Sequence, residues 1–188
     1  MELFVDQQFE HIDFTTQPFP KGEYESCVFI NCNLSQLDLA HYTFIDCSFT
    51  GSNLSLLKLN NTILRDIVFK DCKMIGLQFC DANAFGLAFS FDNCILTNAS
   101  FYKTKIKKTN FNHSKLTEVD FTECDLTESV LNGCDLSGAI FSFSILERVD
   151  FRNAFNYAID PEKNKIKKSK HSSTQLGGLL EKYGLIIE

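Results

Sequence analysis

The fold is decided by residues 91–151, which read FDNCILTNASFYKTKIKKTNFNHSKLTEVDFTECDLTESVLNGCDLSGAIFSFSILERVDF. Counted from Phe91 to Phe151, every fifth residue is apolar. Two places before each of these apolar residues after the first stands a small or β-branched residue, from Cys94 to Val149. A period of five matches neither the 3.6 residues per turn of an α-helix nor the alternation of an ordinary strand. It indicates a chain that turns a corner after every five residues.

The same period runs through the first half of the chain in a second frame. Every fifth residue from Tyr24 to Phe79 is apolar, and the frame reaches back to Phe4. Similar residues recur every 20 positions, so four sides should close one square coil, and successive coils should pair as parallel strands about 4.8 Å apart. One such column is Phe29, Phe49, Phe69, Phe91, Phe111, Leu131 and Phe151.

The two frames divide the chain into three predicted parts. Residues 1–23 are expected to form an irregular first coil and N-terminal cap, because Pro18 and Pro20 interrupt the pattern. Residues 24–155 are expected to form one rod, with a two-residue insertion within 80–90 where the frame shifts. Residues 156–188 are expected to form a linker and a dimerisation module. Counted from Phe4 to residue 155, the repeat has about seven and a half coils and spans roughly 36 Å.

Two short motifs carry a resemblance to a known family. CDLTE at Cys124–Glu128 and CDLSG at Cys134–Gly138 are similar to the A(D/N)LXX motif of the pentapeptide-repeat family. The resemblance covers about residues 4–155 and implies an all-β solenoid, a right-handed quadrilateral β-helix. It is looser in the first half, where larger residues stand at positions that are usually small: Leu37, Tyr42, Leu57, Ile67 and Leu77.

Composition excludes several classes of protein. The 188 residues are 44% hydrophobic and 22% charged, which is typical of a folded chain, and the net charge of −6 argues against a basic nucleic-acid binder. No window resembles a membrane span, and Met1–Glu10 lacks the features of a secretory leader. We expect a cytoplasmic protein that makes no direct contact with nucleic acid or membrane.

The residues give no indication of catalysis or of a bound cofactor. Seven of the eight cysteines fall at the small inward position, which favours buried free thiols over disulfides or metal ligands. The four histidines belong to no recognisable catalytic or metal-binding motif, and the two apolar columns leave no space for a ligand in the core. The sequence therefore predicts a protein that is not an enzyme and needs no metal or cofactor.

Charge is distributed unevenly along the chain. Residues 161–188 carry a net charge of +3, so the part before them carries −9. In the 20-residue register, acidic residues of one coil fall beside basic residues of the coil before or after it, which predicts inter-coil ion pairs. The predicted pairs are Lys103 with Glu123, Lys105 with Asp125, Lys108 with Glu128, and Arg148 with Glu128.

Acidic residues of the first half lack such partners in the register. Asp46 stacks on Asp66, and Asp71 and Asp81 extend the acidity around the corners of the same coils, so these four residues are the predicted partner-binding surface. The family resemblance implies a protein that mimics DNA and binds a type II DNA topoisomerase, gyrase or topoisomerase IV, protecting it from quinolones or a toxin. The alternative is a structural or scaffolding rod with an unidentified protein partner.

The C-terminal residues predict an added module. In residues 156–171, Asp160-Pro161 marks a turn and a lysine run is expected to leave the repeat as a linker. A helix capped by Ser172 or Ser173 and a short strand at 185–187 should follow. The tail resembles the Qnr-type quinolone-resistance and microcin-immunity branch, in which such a module joins two subunits end to end. The alternative is a cap that folds back on its own rod. The predicted dimer interface is Leu176, Leu179, Leu180, Tyr183, Leu185 and Ile187.

Overall fold

A left-handed backbone conformation recurs at the corners of the chain. In the computed structural model, which describes residues 2–186, φ is positive at every fifth residue over long stretches, as at Lys103 (58°), Lys108 (58°) and His113 (48°). Each such residue interrupts the extended backbone, because the left-handed region lies far from the β region, and the chain turns a corner there. Four corners close one coil, and about seven coils stack into a parallel β-solenoid, so the predicted fold is confirmed.

The coils pair through two parallel sheets on adjacent sides. The short sheet has the order β1-β3-β5-β7, and the long sheet has the order β2-β4-β6-β8-β9-β10-β11. The strands are β1 (Glu2–Val5), β2 (Gln8–Glu10), β3 (Gly22–Glu25), β4 (Val28–Ile30), β5 (Thr43–Ile45), β6 (Ser48–Thr50), β7 (Ile63–Arg65), β8 (Ile67–Lys70), β9 (Phe89–Asp92), β10 (Asn110–Asn112) and β11 (Val130–Asn132). Isolated parallel bridges continue the pairing on the other two sides.

The register between coils places like residues on one another in the core. Phe29 pairs with Phe49 across β4 and β6, and their rings stack with centroids 4.6 Å apart. Rings on opposite sides of a coil meet edge to face, as Phe91 and Phe101 do at 78°. Both arrangements are favourable geometries for aromatic pairs, so one hydrophobic core runs along the rod.

The register step changes once, from 20 to 22 residues. Ile67 in β8 pairs with Phe89 in β9, and Phe69 pairs with Phe91. The extra length lies in residues 82–88, which leave the wall after the 3₁₀ turn Phe79–Asp81. As a result the short sheet ends at β7, while the long sheet continues without a break.

The first coil is more regular than the sequence predicts. β1 and β2 pair with β3 and β4 in the 20-residue register, so the prediction of an irregular coil over 1–23 is wrong for this half of it. The irregular part is residues 14–21, where Pro18 and Pro20 have no N–H to donate to a neighbouring coil.

The lysine-rich segment also stays in the solenoid. Lys165 and Lys170 form parallel bridges with Ile145 and Asp150, each 20 residues earlier. The predicted linker over 156–171 is therefore wrong for this part, which forms two further sides of the last coil.

A cap of two short 3₁₀ helices follows, Ser173–Leu179 and Glu181–Tyr183, and Ser172 caps the first, accepting a hydrogen bond from the Thr174 N–H. An α-helix does not form, because Gly177 and Gly178 weaken helical structure. Leu185 and Ile186 form no strand, and Ile187 lies outside the described residues. Within residues 2–186 there is no helix with the length and apolar character needed to cross a bilayer.

Candidate protein-binding surface

Asp46 and Asp66 lie on one corner of the rod, one coil apart. Both are exposed and both take the left-handed conformation, with φ of 52° and 53°. The Asp46 N–H donates to the Arg65 carbonyl at 3.0 Å, which holds the two corners in register. This corner separates the short sheet from the long sheet, so the two carboxylates project at the edge between two flat faces.

Asp71 and Asp81 lie on two other corners. Asp71 follows β8 at the far edge of the long sheet, and its carboxylate accepts a hydrogen bond from the Asn93 side chain at 2.6 Å. Asp81 ends the 3₁₀ turn Phe79–Asp81, and its carbonyl accepts the N–H of Asn61, which lies at the opposite edge of the short sheet. The four predicted residues thus surround two adjacent faces and do not form one compact cluster.

The structure adds acidic residues that the sequence reasoning missed. Asp6 occupies the same corner column as Asp46 and Asp66, and Glu23 and Glu25 project from β3 on the short sheet. Asp6 and Glu23 lie in residues 1–23, which are expected from the sequence to be irregular. The phenylalanines that recur every fifth residue from Phe4 already indicate that the first coil is regular.

Ion pairs with lysine or arginine occur only from residue 103 onward in the described part of the chain. Three of the four predicted pairs are confirmed, and Asp125 pairs with Lys107 in place of Lys105. The distances are 3.6 Å for Lys103–Glu123, 3.7 Å for Lys108–Glu128, 2.8 Å for Arg148–Glu128 and 3.2 Å for Lys107–Asp125. Burial opposes ionisation of Asp125, but hydrogen bonds from Thr127 and the Lys107 ammonium outweigh it and lower its pKa. Glu123, Asp125 and Glu128 are therefore matched by basic side chains, whereas no carboxylate of residues 2–81 has a lysine or arginine partner in the described structure.

Arg65 is the basic residue nearest to the acidic corner in sequence. Its guanidinium lies over the ring of Phe85 at 5.4 Å, and its side chain packs against Gly86. Phe85 itself is 77% exposed in the inserted segment 82–88. Arg65 is thus directed toward the insertion and forms no ion pair with Asp46 or Asp66.

The thiols are part of the wall between coils. Seven cysteines are buried and all eight are free. The Cys134 thiol lies 3.1 Å from the Phe111 carbonyl of the preceding coil, and burial raises the pKa of Cys134 to about 12. Across residues 2–186, no three His, Cys, Asp or Glu side chains are grouped so as to hold a metal ion. The core cavity beside Phe44 measures about 20 Å³, room for about one water molecule.

The C-terminal 3₁₀ cap is seated on the last coil of its own chain. Gly178 lies against the Tyr157 carbonyl and ring, where a methyl group would collide, and its own carbonyl accepts the Ile159 N–H at 2.9 Å. Lys182 bridges Asp160 and Glu162 at 2.8 Å each. The cap therefore folds back on its own rod, as in the alternative prediction for this module, and covers the side of the last coil that carries Tyr157 and Ile159.

One face of the cap remains apolar and exposed. Leu179 packs against the core, whereas four other residues of the predicted interface are exposed to solvent. These exposed residues are Leu176, Leu180, Tyr183 and Leu185, and Ile186 beside them is 91% exposed.

Comparison with known proteins identifies the family. The sequence profile described as a pentapeptide repeat region matches residues 23–90 and 87–155. The chain belongs to the pentapeptide-repeat family. No curated protein matches this pentapeptide-repeat protein in sequence.

Among solved structures, the pentapeptide-repeat protein is similar to two trypsin-treated forms of QnrB1, a plasmid-mediated fluoroquinolone resistance protein. One is 18% identical with a TM-score of 0.56 and 100% of both chains covered. The other is 19% identical with a TM-score of 0.51, covering 97% of this chain and 99% of QnrB1. HetL, a pentapeptide repeat protein involved in heterocyst differentiation regulation in the cyanobacterium Nostoc, is 16% identical with a TM-score of 0.36, covering 89% and 86%. At these identities the likeness shows the fold alone.

Proposed function

We propose that this pentapeptide-repeat protein is a non-catalytic binding protein of the bacterial cytoplasm that presents its acidic first half to the DNA-binding groove of a type II DNA topoisomerase. Gyrase and topoisomerase IV are the candidate partners, and protection from quinolones or a toxin is the expected result. The observation that carries the proposal is the charge of residues 2–81, which hold eleven Asp and Glu against five Lys and Arg. In the described structure none of these carboxylates is paired with lysine or arginine.

The net charge per unit length of residues 2–81 is about one half of that of duplex DNA. A net charge of −6 spread over four coils, about 19 Å of rod, gives one charge per roughly 3 Å. Duplex DNA has one charge per about 1.7 Å of axis. A groove that binds DNA by neutralising phosphates should attract such a rod electrostatically, and the attraction should weaken as salt is added. The likeness in fold to QnrB1 supports the choice of partner.

A gyrase supercoiling assay in the presence of a fluoroquinolone tests the proposal. The test variant is Asp46→Lys/Asp66→Lys, which reverses the acidic corner. Lys103 and Lys108 occupy equivalent corners with φ of 58°, so lysine fits this backbone without new strain. The matched control is Glu118→Lys/Glu147→Lys, which makes the same change in net charge in the other half, at the exposed Glu118 and the half-buried Glu147.

Wild-type protein and the control should restore supercoiling at the same concentration, and the corner variant should need at least tenfold more. If the corner variant protects gyrase as well as the wild type does, the acidic corner is not part of the binding surface. No effect of wild-type protein on gyrase or topoisomerase IV at any concentration would contradict the proposed partner and favour the scaffolding alternative.

We further propose that two copies associate through the exposed face of the C-terminal cap. Its apolar side chains are exposed on the cap, so a second copy of the same face would cover them by two-fold symmetry. Such a dimer would place the two acidic halves at its outer ends, where each is free to meet a partner.

A further inference from the structure

The last coil carries a row of lysines in the same columns as an earlier row. Three coils separate them, and both rows project from the side of the rod that follows the same corner. The earlier row is Lys103, Lys105, Lys107 and Lys108, and the later row is Lys163, Lys165, Lys167 and Lys168.

The earlier row is covered by an acidic strand-like side of the next coil. Residues 123–128 (ECDLTE) lie one coil above it and place three carboxylates on Lys103, Lys107 and Lys108 at 3.2–3.7 Å. The backbones of the two coils pair as well. The Ile106 N–H donates to the Asp125 carbonyl at 3.0 Å, and the Lys108 N–H donates to the Thr127 carbonyl at 2.9 Å. The lysine row thus combines an open backbone edge with a matching set of charges.

The later row has no such cover within residues 2–186. On the lower edge the backbone hydrogen bonds to the preceding coil are formed. The Leu146 and Arg148 N–H groups donate to the Lys165 and Lys167 carbonyls at 2.8 and 3.1 Å. On the upper edge, the N–H groups of Ile166 and Lys168 meet no acceptor in the described chain.

The charges of the later row are also unmatched. The same range contains no carboxylate within 4 Å of its four lysine ammonium groups. Lys182 of the cap reaches Asp160 and Glu162, on the side of the coil before this row.

We propose that this edge binds an acidic, extended segment of a partner protein as one additional parallel strand. By analogy with residues 123–128, the segment has acidic residues at its first, third and sixth positions and an apolar residue at its fourth. The apolar side chain would cover the half-buried Ile166, as Leu126 covers Ile106 in the earlier row. Strand addition of this kind obtains affinity from the backbone and specificity from alternate side chains.

Lysines on an open edge also prevent unwanted pairing between sheets. The lysine charges disfavour the pairing of a neutral or basic strand with this edge. They favour the pairing of a strand whose carboxylates neutralise them, so the same lysines select the partner. The edge offers the Asn164 carbonyl as well as N–H donors, and this carbonyl accepts no hydrogen bond from the described residues. A peptide can satisfy both kinds of group, whereas a phosphodiester chain offers acceptors only, so the edge favours peptide over nucleic acid.

The probe is a fluorescein-labelled peptide with the sequence of residues 120–130 in which Cys124 is replaced by serine. Its binding to the full-length protein is measured by anisotropy at low salt. The test variant is Lys163→Gln/Lys167→Gln/Lys168→Gln. The control variant is Lys58→Gln/Lys70→Gln/Lys73→Gln, which removes three exposed lysines from the first half. We expect the test variant to bind the peptide at least tenfold more weakly than the control and the wild type.

A second peptide, with glutamine or asparagine in place of its acidic residues, should bind at least tenfold more weakly than the first. Equal binding of the two peptides, equal binding by the lysine variant, or no binding to the wild type would overturn the proposal. So would tighter, lysine-dependent binding of a DNA duplex, or salt-sensitive self-association that the lysine variant abolishes, which would assign the edge to phosphates or to a second copy. The gyrase assay does not depend on any of these outcomes.

Discussion

Phe121 lies directly over Phe101, with ring centroids 5.3 Å apart and ring planes 7° from parallel. Phe141 continues the column at 5.2 Å from Phe121. Phe121 is fully buried, so both faces of its ring are in contact with equivalent rings of the adjacent coils. A ring lost from the middle of such a column leaves a cavity that neither neighbour can fill, because each is fixed by the register of its own coil.

Replacing Phe121 by alanine should therefore cost about 3–5 kcal/mol of unfolding free energy, the usual range for a buried phenylalanine. The matched control is Phe143→Ala, because Phe143 is 68% exposed at a corner. It should change stability by less than about 0.5 kcal/mol. Equilibrium unfolding in urea measures both, and equal effects of the two substitutions would contradict the assignment of the core.

The sequence predicts the core well because the core is the repeat itself. Once every fifth residue points inward and coils stack at 20 residues, the pairing of Phe101 with Phe121 follows without further information. The acidic corner follows in the same way, since Asp46 and Asp66 are one period apart. The partner of Asp125 does not follow, because a long lysine side chain can reach a carboxylate two positions from its own column, as Lys107 does.

The last coil escaped prediction because two of its inward residues, Asn164 and His171, are polar. Asn164 stands at the small inward position and performs the hydrogen bonding of the serines found there in other coils. Its amide donates to the Phe141 carbonyl at 3.0 Å, and its side-chain oxygen accepts the Ser144 N–H at 2.9 Å. His171 takes the place of a phenylalanine, stacked on Phe151 at 5.3 Å. A search for apolar periodicity does not detect either substitution.

The thiols should differ sharply in reactivity. Cys80 is half-buried, whereas the other seven cysteines are buried, and burial raises the pKa of Cys47 and Cys124 to about 12. Because the thiolate is the reactive form, Ellman's reagent at pH 8 should label one thiol in the native protein and eight in guanidinium chloride. Burial also raises the pKa of Cys80, so its labelling should accelerate as the pH rises. Cys80→Ser should abolish native labelling, and more than one reactive native thiol would contradict the inward placement.

The clamp between Lys182 and the last coil should weaken in acid. Hydrogen bonds from the Lys182 ammonium lower the pKa of Asp160 and of Glu162 below their ordinary values. A lowered carboxyl pKa stabilises the folded state above the ordinary pKa, and that contribution is lost as the pH falls through the lowered value. Lys182→Met should therefore lower the thermal midpoint at pH 7 and have a progressively smaller effect between pH 4.5 and pH 2.

The control for this clamp is Lys58→Met, which removes an exposed lysine that forms no ion pair in the described structure. Its effect should be small and independent of pH over the same interval. A Lys182→Met effect that stays constant from pH 7 to pH 2 would show that the side chain stabilises the cap by packing and not by charge.

Association of two copies should depend on the exposed face of the cap. Leu180 is 38% exposed there and forms no part of the core, so Leu180→Glu should leave the rod folded and place a charge in the proposed interface. Light scattering after gel filtration should give twice the chain mass of 21.4 kDa for the wild type and a single chain mass for this variant. Leu56→Glu is the control, because Leu56 is 54% exposed on a corner far along the chain from the cap, and it should remain dimeric. A wild-type protein of single chain mass at 100 μM, or a Leu180→Glu variant that remains dimeric, would contradict the two-fold assembly.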